Sequence, residues 1–227
     1  MPDLVPQAEL LRSLGQLVRG LSALFWGLPL TLLVSVKTAL SDWLRPLGVF
    51  PPILTMGLLL YGLWQLGHFQ KQERIWIRAL DRAKLLGFVN LGLSPFLYWW
   101  NKLPFIPFYS WSVGVLMLSG LLFLFDLNQV LQRLAAMLPD ETLRLETKWF
   151  TSVNLGLLIF VVSVVAIYLT LDQINRLPQF IVTTLQAIEP VRSIMVLLLV
   201  LVPLALTMTL IWKIKEVILR SVFSPQS

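Results

Sequence analysis

The sequence has no cysteine, a single histidine and few charged side chains. Asp, Glu, Lys and Arg make up 13% of its 227 residues, about half the share that is usual in soluble domains. The missing cysteine excludes disulfides, thiolate catalysis and cysteine-ligated zinc or iron–sulfur sites. The scarcity of charge excludes an ordinary soluble domain and a disordered chain, because neither has so apolar a composition.

Hydrophobic residues make up 57% of the chain and concentrate in six apolar segments. A membrane-spanning helix needs about 20 mostly apolar residues. The segments run over residues 21–40, 49–69, 85–101, 105–125, 150–171 and 193–212. We therefore predict an all-α polytopic integral membrane protein with about six transmembrane helices in three hairpins, together with amphipathic helices at the membrane interface.

Two of the six segments fit a spanning helix less well than the others. Pro29 interrupts segment 21–40. Segment 85–101 contains Asn90 and Pro95, and at about 1.5 Å per residue it reaches about 25 Å, which is short for a membrane core. The sequence leaves open whether these two segments cross the membrane completely.

Basic residues are distributed unequally over the connections. Cytoplasmic loops of membrane proteins carry an excess of Lys and Arg. With six spans and a cytoplasmic N-terminus, thirteen of the eighteen Lys and Arg residues lie on the cytoplasmic side. We predict that both termini are cytoplasmic, with an amphipathic segment over residues 1–20 and a basic tail over residues 213–227. The net charge of +6 then reflects orientation, and no nucleic-acid partner is expected, since no compact basic domain stands outside the apolar segments.

Aromatic residues flank the turn between the third and fourth segments. They are Phe96, Tyr98, Trp99, Trp100, Phe105, Phe108, Tyr109 and Trp111. Trp and Tyr favour the level of the lipid headgroups, where one end of the ring system is apolar and the other is hydrated. We interpret them as an interfacial belt, with an aromatic-lined ligand pocket as the alternative.

A basic cluster occupies the connection between the second and third segments. It consists of Lys71, Arg74, Arg78, Arg82 and Lys84. The periodicity over residues 71–84 predicts a helix with Trp76, Leu80 and Ala83 on one face. Such helices lie in the membrane interface with basic side chains near anionic headgroups. We predict an interfacial brace, and docking of an anionic lipid or a partner subunit is the alternative.

The connection after the fourth segment also has helical spacing. Asp126 is expected to cap a helix that runs to Leu138. The apolar positions on one face of this helix are Leu127, Val130, Leu131, Leu134 and Leu138. This spacing predicts a separate interfacial helix after the fourth span.

A five-residue string occurs twice in the apolar segments. Residues 89–93 and 153–157 both read Val-Asn-Leu-Gly-Leu, which fits duplication of a two-helix unit and also fits chance. Duplication would place Asn90 and Asn154 at equivalent depths. Because an unpaired amide in hydrocarbon is costly, we favour interhelical hydrogen bonds for both. The alternative is a polar path for a solute, lined by these two residues and Ser94.

Small residues recur in several helices. Two pairs have the small-xxx-small spacing that lets helices approach closely, Ser110 with Gly114 and Ser152 with Gly156. A second set recurs every five residues and does not have this spacing, namely Gly57, Gly62 and Gly67. We interpret this second set as a general thinning of the helix surface.

Side chains suited to catalysis are scarce. The single histidine is His68, and the nearest acid in sequence, Glu73, lies five residues on and on a different helix face. An interfacial enzyme built on His68, Glu73 and Arg74 is therefore the least favoured interpretation. No catalytic residue, metal ligand or cofactor is predicted. Ion-coupled carriage is also disfavoured, because no segment core contains Asp, Glu or His.

These observations favour a non-catalytic role. We expect a structural or accessory subunit that packs with itself or with a partner as a homo- or hetero-oligomer in the lipid bilayer. The alternative is a small-solute or lipid transporter or channel with a path lined by Asn90, Ser94 and Asn154.

Overall fold

The chain folds into helices. The computed structural model describes residues 4–69, 73–138, 141–172 and 200–220, and over these residues it contains helices and the turns between them. The helices are α1 (Leu4–Leu40), α2 (Phe50–Leu66), α3 (Arg74–Leu93), α4 (Phe96–Lys102), α5 (Pro107–Ala136), α6 (Glu141–Asp172) and α7 (200–220), with a 3-10 helix at Asp42–Leu47. The predicted all-α fold class is confirmed.

Three helices in the described part of the chain are long and apolar enough to cross a membrane. They are Arg12–Leu40 within α1, Pro107–Ala136, and Arg144–Ser163 within α6. Helix α2 is apolar but shorter, with 17 residues. Of predicted segment 193–212, residues 193–199 lie outside the described residues. The helices are those expected of a membrane protein, while six spans, the hairpins and the sides of the termini stay predictions.

Helix α1 continues from the amphipathic segment into the first predicted span without a break. It runs through Pro29, a residue that membrane helices tolerate. A leucine stripe at helical spacing crosses the boundary between the two segments and is buried, comprising Leu17, Leu21, Leu24 and Leu28. One helix forms because both segments bury the same face.

Helix α3 joins the predicted interfacial segment 71–84 to the third apolar segment. Trp76, Leu80 and Ala83 are buried, as the periodicity predicts. The Trp76 indole Nε1 donates a hydrogen bond to the Phe69 carbonyl at 3.2 Å. This bond fixes the entry into α3, so the apolar face of the connection packs into the bundle.

Helix α5 extends well past the fourth predicted span. The expectation that Asp126 caps a separate helix is wrong, because α5 continues through this residue to Ala136. The reason lies in the apolar face, whose buried positions keep one helical register on both sides of Asp126: Phe123, Leu124, Leu127, Val130, Leu131 and Leu134. A cap is needed only where a helix begins, and no helix begins there.

Helices α1 and α2 make close contact at glycines. A β-carbon added to Gly62 would lie 2.8 Å from Leu24 Cγ and 3.1 Å from the Gly20 carbonyl oxygen. A β-carbon on Gly57 would meet nothing within 4 Å. The interpretation of these glycines as general thinning is therefore wrong for Gly62, which marks a specific close approach of two helix backbones.

One side chain ties together the turns at one end of the bundle. Asn101 Nδ2 on α4 donates to the carbonyl oxygens of Thr38 at 2.8 Å and Ser41 at 3.3 Å. The C-terminal end of α1 and helix α4 therefore lie side by side, and we call this region the α4 end. Aromatic rings gather here, with the Trp99 and Tyr109 rings stacked at 6.4 Å.

Replacing Gly62 by alanine is expected to lower the free energy of unfolding by about 1–3 kcal/mol, because the new methyl group collides with Leu24 and pushes α1 outward. The matched control is Gly57→Ala on the same helix, which should be neutral or stabilising by up to about 1 kcal/mol. Unfolding in detergent micelles by added dodecyl sulfate, followed by circular dichroism, measures both. Equal midpoints for the two variants would contradict the close contact.

Candidate functional site

Polar side chains from three helices meet inside the apolar bundle. Asn128 on α5, Asn154 on α6 and Thr207 on α7 are each no more than 1% exposed. We call these three residues the amide cluster. Asn154 Nδ2 donates to Asn128 Oδ1 and to Thr207 Oγ1, both at 2.9 Å. Asn128 Nδ2 also donates to Thr207 Oγ1, at 3.0 Å.

The backbone orients the amide cluster. The Thr207 hydroxyl donates its single proton to the Pro203 carbonyl at 2.8 Å, so its oxygen acts as an acceptor toward both amides. The second Asn128 Nδ2 hydrogen goes to the Leu124 carbonyl at 2.8 Å. The three side chains thereby cross-link α5, α6 and α7 in one relative position.

A second polar pair joins α3 to α5. Asn90 is 2% exposed, and its Oδ1 accepts a hydrogen bond from Ser119 Oγ. Ser119 Oγ also lies 3.0 Å from the Leu116 carbonyl oxygen. Asn90 and Asn154 are thus both engaged with side chains of α5.

The two asparagines of the repeated string lie at different levels of the bundle. Their partners on α5, Ser119 and Asn128, are nine positions apart, which corresponds to about 13 Å along a helix axis. The two asparagines therefore do not take equivalent positions along α5, as a duplicated unit would place them. Helices α3 and α6 are displaced along α5 relative to each other, so the same string meets different partners.

Ser94 has a local role at the end of α3. It is fully buried, and its Oγ donates to the Leu91 carbonyl at 2.9 Å. In a continuous helix that carbonyl would accept from the N–H of residue 95, but Pro95 has none. The Ser94 hydroxyl compensates for the missing donor where the chain passes from α3 to α4.

One face of α6 has unused hydrogen-bonding capacity. Thr147 Oγ1, Thr151 Oγ1 and Asn154 Oδ1 have no hydrogen-bond partner, although each residue is 1% exposed. The spacing of four and then three residues places them in one row along the helix. Each unsatisfied polar group of this kind costs about 1–3 kcal/mol. The row ends at the amide cluster.

An ion pair joins α6 to α7 beyond this row. Lys213 Nζ lies 2.6 Å from Glu146 Oε2 and 5.1 Å from the centre of the Phe150 ring. Glu146 is exposed and Lys213 is partly exposed. Such a pair adds at most about 1 kcal/mol in water, so its main effect is to set the register of the two helices.

The basic cluster divides into two parts. Arg74, Arg78 and Arg82 are exposed in a row along α3. Lys84 instead packs inward, with its Nζ 3.9 Å from Asp81 Oδ1 and 5.7 Å from the centre of the Trp64 ring. Lys71 lies outside the described residues.

His68 is engaged with the backbone. Its Nδ1 donates to the Trp64 carbonyl at 3.1 Å. Glu73 immediately precedes α3 and makes no side-chain capping bond. Among the described residues, no three His, Cys, Asp or Glu side chains lie close enough together to hold a metal ion.

The predicted small-residue pairs lie on the outside of the bundle. Ser110 and Gly114 on α5 are exposed, and so are Ser152 and Gly156 on α6. A β-carbon on Gly114 or Gly156 would meet nothing within 4 Å. Neither pair is used in packing between the described helices, in contrast to Gly62.

Sequence reasoning missed Ser119, Asn128 and Thr207. A signal exists for Asn128, which occupies a position that the apolar period of α5 assigns to the buried face between Leu124 and Leu131. A buried amide needs a partner. The identity of that partner depends on how three helices pack and has no local signature.

Comparison with known proteins identifies no relative, since no family model, curated protein or solved structure matches this chain. Function is therefore inferred from the chemistry of the described residues. Two features stand out, the amide cluster that joins helices on the inside and the exposed small-residue pairs that no described helix contacts.

The hydrogen bond between Asn128 and Asn154 is expected to couple their contributions to the free energy of unfolding. In a double-mutant cycle, Asn128→Ala and Asn154→Ala are expected to couple by about 0.6–1.7 kcal/mol, the range found for hydrogen bonds between membrane helices. Pairing Asn128→Ala with Ser163→Ala is the control, because the exposed Ser163 hydroxyl bonds to the Ile159 carbonyl of its own helix at 2.9 Å. Strictly additive losses in unfolding free energy for both cycles would refute the interhelical bond.

Two threonines with different surroundings should respond in opposite directions to the same substitution. Thr207→Val removes the acceptor of two amides and is expected to destabilise by about 1–3 kcal/mol. Thr151→Val removes an unpartnered hydroxyl at nearly constant shape and is expected to leave stability unchanged or raise it. Unfolding midpoints in the same detergent compare the two variants, and similar losses in both would rule out the assigned bonding pattern.

Proposed function

We propose that this chain is a non-catalytic integral membrane protein that serves as a structural or accessory subunit and packs with itself or a partner in the membrane. The observation that carries the proposal is the exposure of both small-residue pairs. Small residues let helix backbones approach closely, and the resulting van der Waals packing favours helix association in lipid. Because the described helices do not use these pairs, we propose that a helix of another chain packs against them.

The exposed face of α5 supports this role. Its large apolar side chains recur at spacings of three and four residues, namely Phe108, Trp111, Val115, Leu118 and Leu122. This spacing is that of the contact seam between two packed helices. Exposed apolar side chains alone are expected in lipid. Here the large side chains can interdigitate with those of a second helix, and the adjacent Ser110 and Gly114 let the backbone of that helix come close.

The hydrogen bonds inside the bundle also support a structural role. The amide cluster and the Asn90–Ser119 bond hold helices in one arrangement, and the fixed helices present their outer faces in one geometry. A subunit that docks through helix surfaces needs such rigidity, because interfaces assembled from mobile helices lose more entropy on association. We therefore propose that the interior hydrogen bonds hold the outer helix faces in the geometry that binds another chain.

The arginine row on α3 supports a second contact at the membrane interface. Arg74, Arg78 and Arg82 are exposed, and basic residues close to an anionic membrane surface contribute about 1 kcal/mol each to binding. We propose that this row contacts anionic headgroups or an acidic surface of the partner.

A transporter or channel is the second candidate function. The observation in its favour is the row of unpartnered oxygens on α6, which ends at Asn154. The bonds of Asn90 to Ser119 and of Ser94 to Leu91 weigh against a path lined by all three predicted residues. Solute flux into proteoliposomes that is abolished by Asn154→Ala, with the fold retained, would favour this candidate.

The subunit role is tested by measuring the mass of the purified chain in lipid nanodiscs. We expect an oligomer or a co-purified partner for the native chain. Gly114→Ile and Gly156→Ile are expected to weaken association about tenfold or more, equivalent to about 1.4 kcal/mol. Gly92→Ile is the matched control, because Gly92 is exposed, has no neighbour within 4 Å and belongs to no small-residue pair. A native chain that is monomeric and brings no partner would overturn the proposal.

A further inference from the structure

A small polar pocket lies at the α4 end and shares no residue with the amide cluster. It is lined by Thr38, Ser41, Leu44, Arg45, Tyr98, Asn101 and Lys102. Its volume is about 10 Å³, which is room for the centre of one water molecule. The pocket is therefore a recess, and a larger ligand would have to sit at its mouth.

The backbone around the recess is held in place. Asn101 bonds the carbonyls of Thr38 and Ser41, as described above. The Ser41 Oγ accepts from the Trp43 N–H at 3.3 Å and caps the 3-10 helix that carries Arg45. The walls of the recess come from α1, the 3-10 helix and α4, which these bonds connect.

A buried hydroxyl in the recess lacks a partner. Thr38 is 3% exposed, and its Oγ1 makes no hydrogen bond. A threonine in a helix commonly satisfies its hydroxyl on a carbonyl of the preceding turn, but Thr38 does not. The hydroxyl oxygen is closed to water as the recess stands, so it reaches an acceptor in the recess by rotation of the Thr38 side chain.

The mouth of the recess has an excess of positive charge. Arg45 Nη1 lies 3.3 Å from Asp42 Oδ1, and both side chains are exposed. Lys102 Nζ lies 5.7 Å from the centre of the Trp99 ring and 6.0 Å from that of Tyr98. Over the described residues Lys102 forms no ion pair. The mouth thus carries two cations and one carboxylate, and most of the Arg45 guanidinium hydrogens are unused by the described residues. This arrangement favours a ligand with anionic oxygens.

We propose that the recess binds the phosphate of an anionic phospholipid headgroup. Arg45 and Lys102 hold the phosphate at the mouth, and one of its oxygens points inward, where the Thr38 hydroxyl donates to it after the side chain rotates. The volume excludes a whole phosphate from the interior, which agrees with the cations lying at the rim. Every group assigned to the phosphate is a donor, as an anionic oxygen requires.

A lipid suits the site better than free phosphate because of its surroundings. Exposed aromatic residues at this end, such as Trp43 and Phe105 at 78% and 94% exposure, are typical of the headgroup level of a membrane. Leu40 and Leu47 are exposed next to the recess and offer an apolar surface for the acyl chains. A bound lipid pairs its phosphate with Arg45 and Lys102, and its acyl chains cover the two leucines. The proposal depends on membrane insertion and does not depend on the subunit role.

Native mass spectrometry of the full chain, released from micelles that contain phosphatidylglycerol and phosphatidylcholine, tests the site. We expect Lys102→Gln to weaken retention of phosphatidylglycerol about fivefold, and Lys102→Arg to retain it. Lys37→Gln is the matched control, since it removes an exposed positive charge from the last turn of α1 but does not line the recess. Equal losses for Lys102→Gln and Lys37→Gln would overturn the proposal, because they would indicate attraction by overall charge.

Two further measurements test the role of the Thr38 hydroxyl and whether the bound phosphate belongs to a lipid or is free phosphate. Thr38→Val keeps the shape of the side chain and is expected to weaken phosphatidylglycerol retention severalfold while the unfolding midpoint is maintained or raised. Retention equal to that of the native chain would overturn the inward-pointing phosphate oxygen. Displacement of the lipid by millimolar inorganic phosphate would overturn the lipid assignment, whereas retention of the lipid under that challenge supports it.

Discussion

A polar side chain buried among apolar helices has to find its hydrogen-bond partner within the protein. This constraint determines how α5, α6 and α7 fit together, because Asn128, Asn154 and Thr207 are buried and form hydrogen bonds with one another. Non-directional apolar packing tolerates sliding of one helix along another, but directional bonds do not. The same constraint explains Ser94, whose hydroxyl replaces the donor that Pro95 lacks. The constraint is unmet at the hydroxyls of Thr31, Thr38, Thr147 and Thr151 and at Asn154 Oδ1, which are buried without a hydrogen-bond partner.

Small residues complement the polar contacts. On the inside, Gly20 and Gly62 bring the backbones of α1 and α2 together. On the outside, Gly114 and Gly156 have open space around them. The same residue type is thus engaged in one pair of helices and free in another, and only the neighbouring helix distinguishes the two. The free surfaces underlie the proposed association with another chain.

Much of the helical framework follows from local pattern, and the departures share one cause. The periodicity around Trp76, Leu80 and Ala83 predicted the buried face of α3, because amphipathic spacing is a property of the segment itself. Acidic residues favour the start of a helix, yet at Asp126 the apolar register continues and no helix begins. Duplication of the repeated string would give Asn90 and Asn154 equivalent positions, but each position along α5 depends on how its helix packs. In both cases, packing against a neighbouring helix outweighed the structure that the local sequence favours.

By itself, the sequence determined that the chain is helical, that it is apolar enough for lipid, and that chemistry based on cysteine is excluded. These properties follow from composition and period, which do not depend on the fold. Only the tertiary structure decided that Asn154 meets Asn128 and Thr207, that Gly62 faces Gly20, and that Thr38 lies beside Arg45 and Lys102. Hydrogen bonds and backbone contacts act over a few ångströms between residues far apart in the chain, so no local pattern encodes which of them meet.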